Sequence, residues 1–145
     1  MQALLQRVTQ ASVDVGGTRI AAIEAGLLVF VGVFPEDTAA MAQSLADRTV
    51  DLRIFADAAK PMNRSVIDTG GEVLVVSQFT LAANTRKGRR PSFDSAAPPE
   101  QARALYDVFV ERVRHRLGVV ASGRFGADMQ VTLINDGPVT FLLSS

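Results

Sequence analysis

Two short apolar runs constrain this chain more than any other feature: Leu27-Leu28-Val29-Phe30-Val31-Gly32-Val33-Phe34 and Val73-Leu74-Val75-Val76. Both fall far short of the ~20 residues that a membrane span needs. The first follows Gly26, is rich in β-branched and aromatic residues, and shows no polar alternation over Leu27–Val33. That pattern predicts a strand buried on both faces. Val73–Val76, after Gly70-Gly71, predicts another buried strand. Strands of this kind lie inside a sheet that is covered on both faces.

The rest of the chain supplies the partners. Leu4 to Val15 reads as a strand that stops at Gly16-Gly17, a hairpin signal, and Thr18 to Ile23 reads as the return strand. Pro35-Glu36-Asp37-Thr38 introduces a helix with a capping residue and an acidic first turn. Met41, Ala42, Leu45 and Ala46 recur at helical spacing and carry it to about Val50. Leu52–Phe55 is expected as a short strand. Ala82 to Pro99 is polar, basic and proline-bearing, the mark of a long surface loop. Pro98-Pro99-Glu100 opens a second helix with an apolar stripe of Ala102, Leu105, Tyr106, Phe109 and Val113, ending at Leu117-Gly118. Two closing strands, Val119–Arg124 and Met129–Leu143, are expected, the second interrupted by Gly137-Pro138. No repeat or linker divides the chain. The expectation is one domain over residues 1–145, an α/β fold with a largely antiparallel mixed sheet, barrel-like, and two main helices.

Composition excludes several chemistries. With no cysteine, disulfides, thiolate catalysis and cysteine-ligated metals are ruled out, which fits a reducing compartment. Met1 to Arg7 offers no apolar stretch of the signal-peptide kind, so a soluble, cytoplasmic protein is expected. Lys+Arg and Asp+Glu both count 15, so the chain lacks the basic excess of a general nucleic-acid coat. Contact with nucleic acid must come from a local patch, and Arg86-Lys87-Gly88-Arg89-Arg90 is the candidate.

Conventional catalytic machinery is missing as well. A serine hydrolase needs a base beside its nucleophile. The one histidine, His115, lies in the second helix roughly 140° from the centre of the apolar stripe, at about 100° per residue, and reads as a surface residue. There is no G-x-S-x-G, no H-E-x-x-H, no clustered His/Asp set and no P-loop. Gly16-Gly17 and Gly70-Gly71 read as turns. An enzyme of this composition works by positioning and backbone polarisation, or takes a substrate that brings its own reactive group. A substrate that carries a hydroxyl next to its scissile bond would be compatible.

Two segments remain. Ser77-Gln78-Phe79-Thr80-Leu81 ends a buried strand and places hydroxyls, an amide and backbone N–H groups at a sheet edge; strand-end capping and a site are both open readings. Asn135-Asp136-Gly137-Pro138-Val139-Thr140, taken alone, is a turn signature.

In this order, these segments resemble the D-aminoacyl-tRNA deacylase family. The resemblance covers the whole chain: Leu5-Gln6-Arg7-Val8, Gly26-Leu27-Leu28-Val29, Arg53-Ile54-Phe55, Val75 to Leu81, Lys87 to Phe93, Gly123-Arg124-Phe125-Gly126-Ala127-Asp128-Met129, and Asn135 to Thr140. It implies a homodimer with active sites at the subunit interface, acting on the aminoacylated 3′ end of tRNA with no cofactor or metal. It implies catalytic positions at Ser77, Gln78, Phe79 and Thr80. It further implies a cis Gly137-Pro138 peptide projecting into the partner's pocket, where main-chain oxygens crowd the side chain of an L-amino acid and so reject it. D-residues pass, and glycine, having no side chain, passes too, which matches the family's implied action on glycyl-tRNA mischarged for alanine. Asn135 belongs to the same substrate-facing segment. Arg7 resembles the position that buttresses it, although the residues alone also allow a solvated strand arginine. Phe125 and Met129 line the pocket for the terminal adenosine or pack in the core.

Thr80 has no base to activate it, so the expected mechanism is attack assisted by the ribose 2′-hydroxyl, with N–H groups near Phe79 and Thr80 polarising the carbonyl. The rival classes are a non-catalytic RNA-binding domain using the Arg86–Arg90 loop and a general small-ester hydrolase.

Overall fold

The computed structural model describes residues 1–86 and 88–145. Its organising element is β1 (Gln2–Val15), which is flanked along both edges. On one edge its first half pairs antiparallel with β3 (Gly26–Gly32), and its second half pairs antiparallel with β2 (Thr18–Ile23) through the Gly16-Gly17 turn. On the other edge lies β6 (Gln130–Ser144), antiparallel over almost the whole length. Beyond β3 the sheet becomes parallel, with β4 (Glu72–Ser77) and then β5 (Ala121–Ser122). Parallel neighbours need crossovers. α1 (Ala39–Asp51) and the single turn α2 (Val66–Thr69) lie in the first, and α3 (Pro99–Leu117) in the second.

Both faces of β3 and β4 are covered, as the apolar runs require, because two cores lie on opposite sides of the sheet. Leu27, Val29, Val31, Val73 and Val75 meet Leu45, Ala46 and Val50 of α1 and Phe109 and Val113 of α3. Leu28, Leu74 and Val76 point the other way and join Val8, Ala11, Val13 and Ile23 inside the curl of the sheet, with Met129, Val131 and Leu133 packed against them. β1 contributes Ala3 and Leu5 to the first core but Val8, Ala11 and Val13 to the second. The register irregularities between Gln6 and Gln10 change which face of the strand is inward.

Three expectations are corrected and one element is added. Leu52–Phe55 is not a strand: it leaves α1 and makes one bridge, Phe55 to Arg64, since β4 already occupies the edge of β3. The first turn of α1 holds no acid. Thr38 is the cap, accepting from the Met41 N–H. Asp37 precedes it and is buried, accepting from the Phe34 N–H at 2.7 Å and from the Met1 ammonium. The closing strand foreseen over Val119–Arg124 shrinks to β5. Finally, α2 was not foreseen, although its Ser65/Asp68 capping box was legible.

α1 and α3 are joined at the surface by ion pairs. Asp47 accepts from Arg112 at 2.9 Å and from Arg116 at 2.7 Å, and Arg116 also reaches Asp51. The Arg112 hydrogen bond, reinforced by Arg116, holds the Asp47 carboxyl below the usual carboxylate range despite its partial desolvation. Among the described residues no helix is long and apolar enough to cross a membrane.

Candidate functional site

β4 ends at Ser77, and the chain turns at once into a 3-10 turn over Phe79–Ala82. The turn is seated on the end of β3: the Gln78 N–H donates to the Val31 carbonyl at 2.8 Å and the Leu81 N–H to the Gln78 carbonyl at 3.1 Å. Gly32 makes this seat possible, because a Cβ there would lie 2.8 Å from the Leu81 Cβ. The Gln78 amide donates to the Thr80 hydroxyl at 2.5 Å. The N–H groups of Phe79 and Thr80, at the head of the turn, donate to no acceptor outside it among the described residues, as the first N–H groups of a helical turn do.

A cavity of about 450 Å³ opens beside this turn. Ser77, Gln78, Phe79, Phe125 and Met129, five of the residues singled out from the sequence, line it together. Phe79 is 57% exposed and tilts against Phe93 with ring centroids 5.0 Å apart. Phe125 leans on Tyr106 at 5.9 Å, whose hydroxyl donates to the Val75 carbonyl at 2.9 Å. Burial pushes the Tyr106 phenol far above its ordinary range, so it is a strut and not an acid. Thr80 does not line the cavity. Sequence reasoning placed Pro99 at the opening of α3 and Ala102 on its apolar stripe but gave no site role to either, to Ala97, with which they form one wall, or to Asp128, the one ionisable side chain on the lining among the described residues. Small residues opening α3 were the available signal for the wall; Asp128 carried none.

A second cluster stands apart. β1 and β6 pair at Gln6 with Thr140 and at Val8 with Asn135, so residues 136–139 bulge opposite Arg7. Arg7 donates through Nε to the Asp136 carbonyl at 3.2 Å, pairs with the Asp136 carboxylate at 2.9 Å, and donates through Nη1 to the Ile54 carbonyl. Its guanidinium lies 6.0 Å from the centre of the Phe55 ring. The Asn135 amide donates to the Arg7 carbonyl at 2.9 Å and to the Val139 carbonyl at 3.2 Å. The backbone of Gly137 passes so close that an added Cβ would sit 2.4 Å from Asn135 Oδ1. The Gly137-Pro138 peptide is cis. Asn135 to Pro138 are exposed while Val139 beside them is buried. Arg7, Asn135, Gly137 and Pro138 are absent from the cavity lining.

The basic loop is pinned at its base by reciprocal backbone bonds between Asn84 and Ser92, 2.8 and 3.0 Å. Arg86, Arg89 and Arg90 are exposed on it, and Lys87 lies outside the described residues. His115 is exposed on α3, away from the cavity. No group of His, Asp or Glu among the described residues is arranged to hold a metal ion.

Comparison with known proteins bears on this arrangement. The family model described as D-Tyr-tRNA(Tyr) deacylase matches residues 4–144. A D-aminoacyl-tRNA deacylase of Roseiflexus sp. (strain RS-1) is 59% identical over 146 residues, covering 100% of this chain and 94% of the relative. A D-aminoacyl-tRNA deacylase of Pseudomonas aeruginosa (strain LESB58) is 56% identical over 145 residues, covering 100% of both. A solved structure described as a c-Myc DNA unwinding element binding protein superposes with a TM-score of 0.93 at 44% identity, covering 100% of this chain and 99% of that one.

Proposed function

From the premise that this chain belongs to the D-Tyr-tRNA(Tyr) deacylase family, we propose that it hydrolyses the ester linking a D-amino acid to the 3′ end of tRNA. The observation that carries the reading is the cavity at the end of β4: it gathers Ser77, Gln78 and Phe79, opens onto exposed aromatics, and holds no acid–base pair. A site of that kind suits a substrate that contributes its own hydroxyl. Water attacks the ester carbonyl with its proton passed through the ribose 2′-hydroxyl, the free N–H groups of Phe79 and Thr80 stabilise the oxyanion, and the bond to the 3′ oxygen then breaks, that oxygen taking the proton as the free amino acid leaves. Thr80 is bound to the Gln78 amide and has no base beside it, which argues against a nucleophilic role. Phe125 and Met129 form the wall for the terminal adenosine.

The working enzyme is a homodimer in this reading. Arg7 and Asn135 hold the Asp136–Pro138 bulge in one exposed conformation, and none of its residues lines the cavity at the end of β4. A second copy offers it the cavity it lacks. There the Gly137-Pro138 main chain crowds the side-chain direction of an L-residue and leaves D-residues and glycine unhindered. The same filter passes glycyl-tRNA mischarged for alanine. The exposed Arg86, Arg89 and Arg90, with Lys87, contact tRNA phosphates by position rather than base readout.

Hydrolysis of D-tyrosyl-tRNA beside its L-counterpart tests the reading: release from the D-ester alone is expected. Protection of both esters would instead establish a protein that only binds RNA. Cleavage of both enantiomers would refute the filter. A 2′-deoxy substrate separates the mechanisms, since it should be inert while Thr80→Ala retains most activity.

A further inference from the structure

A groove of about 440 Å³ runs along α3 on the far side of Phe125, and Phe125 lines both this groove and the cavity. Arg103, Asp107, Val110 and Arg114 recur at helical spacing along the α3 wall, so the outer two arginines stand about 16 Å apart along the helix axis. Arg124, next in sequence to Phe125, faces them from the opposite wall, with the Ser122 hydroxyl beside it. Arg103 and Arg124 are exposed and enter no ion pair among the described residues. Arg114 pairs with Glu111 three residues away. Phe125 joins this groove to the cavity beside the turn, and Arg124 is its neighbour in sequence, whereas Arg86, Arg89 and Arg90 are not on the groove's lining.

We infer that this groove holds the sugar–phosphate backbone of the acceptor strand immediately before the terminal nucleotide, with Arg103 and Arg124 as the phosphate ligands and Arg114 exchanging Glu111 for phosphate. The inference rests on the deacylase reading and extends it. Guanidinium forks suit phosphate oxygens, and because Phe125 lines both spaces, a nucleotide seated against that ring has the groove as a neighbouring path for its 5′ phosphate. Asp107 and Glu111 temper the groove, so it holds a polyanion at several points without trapping small anions. Because no base edge is engaged, the contact is independent of tRNA sequence.

The test compares two substrates on the purified full chain. D-tyrosyl-tRNA carries the upstream phosphates; the D-tyrosyl ester of adenosine carries none. Arg103→Ala with Arg124→Ala is expected to raise KM for the tRNA substrate by about tenfold per arginine. It should also reduce the slope of log affinity against log salt by about 1.4, at roughly 0.7 per single-strand phosphate contact, and leave the adenosine ester cleaved at the wild-type rate. Asp107→Asn, which cannot act by unfolding an arginine contact, should lower KM for tRNA. An unchanged KM and salt slope, or equal losses on both substrates, would overturn the assignment. Binding of uncharged tRNA, followed by fluorescence anisotropy with the same variants, tests the groove even if the wild type cleaved no ester, so the two readings fail separately.

Discussion

Gly32→Ala is the sharpest perturbation of the candidate site, because it touches nothing that substrate would touch. The backbone of Gly32 is outside the left-handed region, so alanine meets no conformational barrier. In a strand it would ordinarily gain about 0.5–1 kcal/mol over glycine. Against that stands the Leu81 Cβ at 2.8 Å and the Gln78 carbonyl at 3.3 Å. Neither is the loose end of a side chain; both are fixed to the 3-10 turn, so the turn itself must lift off β3. Overpacking of this kind costs about 1–3 kcal/mol, which outweighs the propensity gain and predicts a Tm lower by roughly 2–8 °C. The larger effect falls on turnover. The displaced segment carries Gln78, Phe79 and the two free N–H groups, and a shift of about 1 Å in such a scaffold can reduce the rate by about a hundredfold. The assay is kcat/KM on D-tyrosyl-tRNA alongside thermal melting, for Gly32→Ala, Leu81→Gly and the double variant. Removing the Leu81 Cβ should restore activity to the alanine variant, giving a clear coupling energy. Wild-type kcat/KM in Gly32→Ala would refute the claim that the seat of the turn sets the site.

Three further outcomes are expected. Arg7→Ala loses hydrogen bonds to the Asp136 and Ile54 carbonyls; stability should fall by about 1–3 kcal/mol, and the D-over-L ratio in ester hydrolysis should fall more steeply than the melting point, with a preserved ratio counting against the buttress. Asp128→Asn should keep most activity, and kcat/KM should show no carboxylate inflection, whereas a general base at this position would make the variant about a hundredfold slower or worse. Tyr106 is the one tyrosine of a chain without tryptophan, and its folded pKa is raised by burial. Its contribution to stability is therefore complete below the unfolded value of about 10 and is lost as pH rises beyond it; tyrosinate absorbance should appear together with unfolding, and a separate step near the ordinary phenol range in folded protein would contradict the buried strut.

Much of the fold was legible because burial leaves a pattern. The runs at Leu27–Val33 and Val73–Val76 announced strands covered on both faces, and Ala102, Leu105, Tyr106, Phe109 and Val113 marked the inward stripe of α3, all of them buried. Errors arose where tertiary competition decides. Leu52–Phe55 has strand-like residues but no free edge to join, and Val119–Arg124 keeps only two residues in the sheet. Glu36 and Asp37 looked like a charged first turn, yet Asp37 is taken up by the Phe34 N–H and the Met1 ammonium. Of the site, the end of β4 could be found as a strand that breaks into Ser-Gln-x-Thr. Asp128 could not, because nothing local distinguishes a cavity lining from a surface turn, and the small residues at the opening of α3 were the one signal for the Ala97–Ala102 wall. The separation of Arg7, Asn135, Gly137 and Pro138 from the cavity is likewise a property of the β1–β6 register, which no single segment encodes.

Both halves of the candidate site are built in the same way. At the end of β3 a missing Cβ lets the turn carrying Phe79 sit on the strand; at the bulge in β6 a missing Cβ lets the main chain pass beside Asn135. The turn is held by a backbone bond from the Gln78 N–H to the Val31 carbonyl and the bulge by the side chains of Arg7 and Asn135, and in both places backbone groups are left presented to whatever binds. Backbone N–H and carbonyl groups do not titrate and do not depend on the identity of a neighbouring residue. Chemistry conducted by them needs no imidazole or thiol, and this chain has no cysteine and a single histidine, exposed on α3 and off the cavity lining. It also selects by shape and not by charge: a main chain held rigidly at one position excludes a side chain pointing toward it and is indifferent to one pointing away. On the proposed reading, a cavity so constructed would distinguish configuration at a carbon centre while ignoring the nature of the substituent, and the arginine-lined groove beyond Phe125 would supply the affinity that such an unselective pocket lacks.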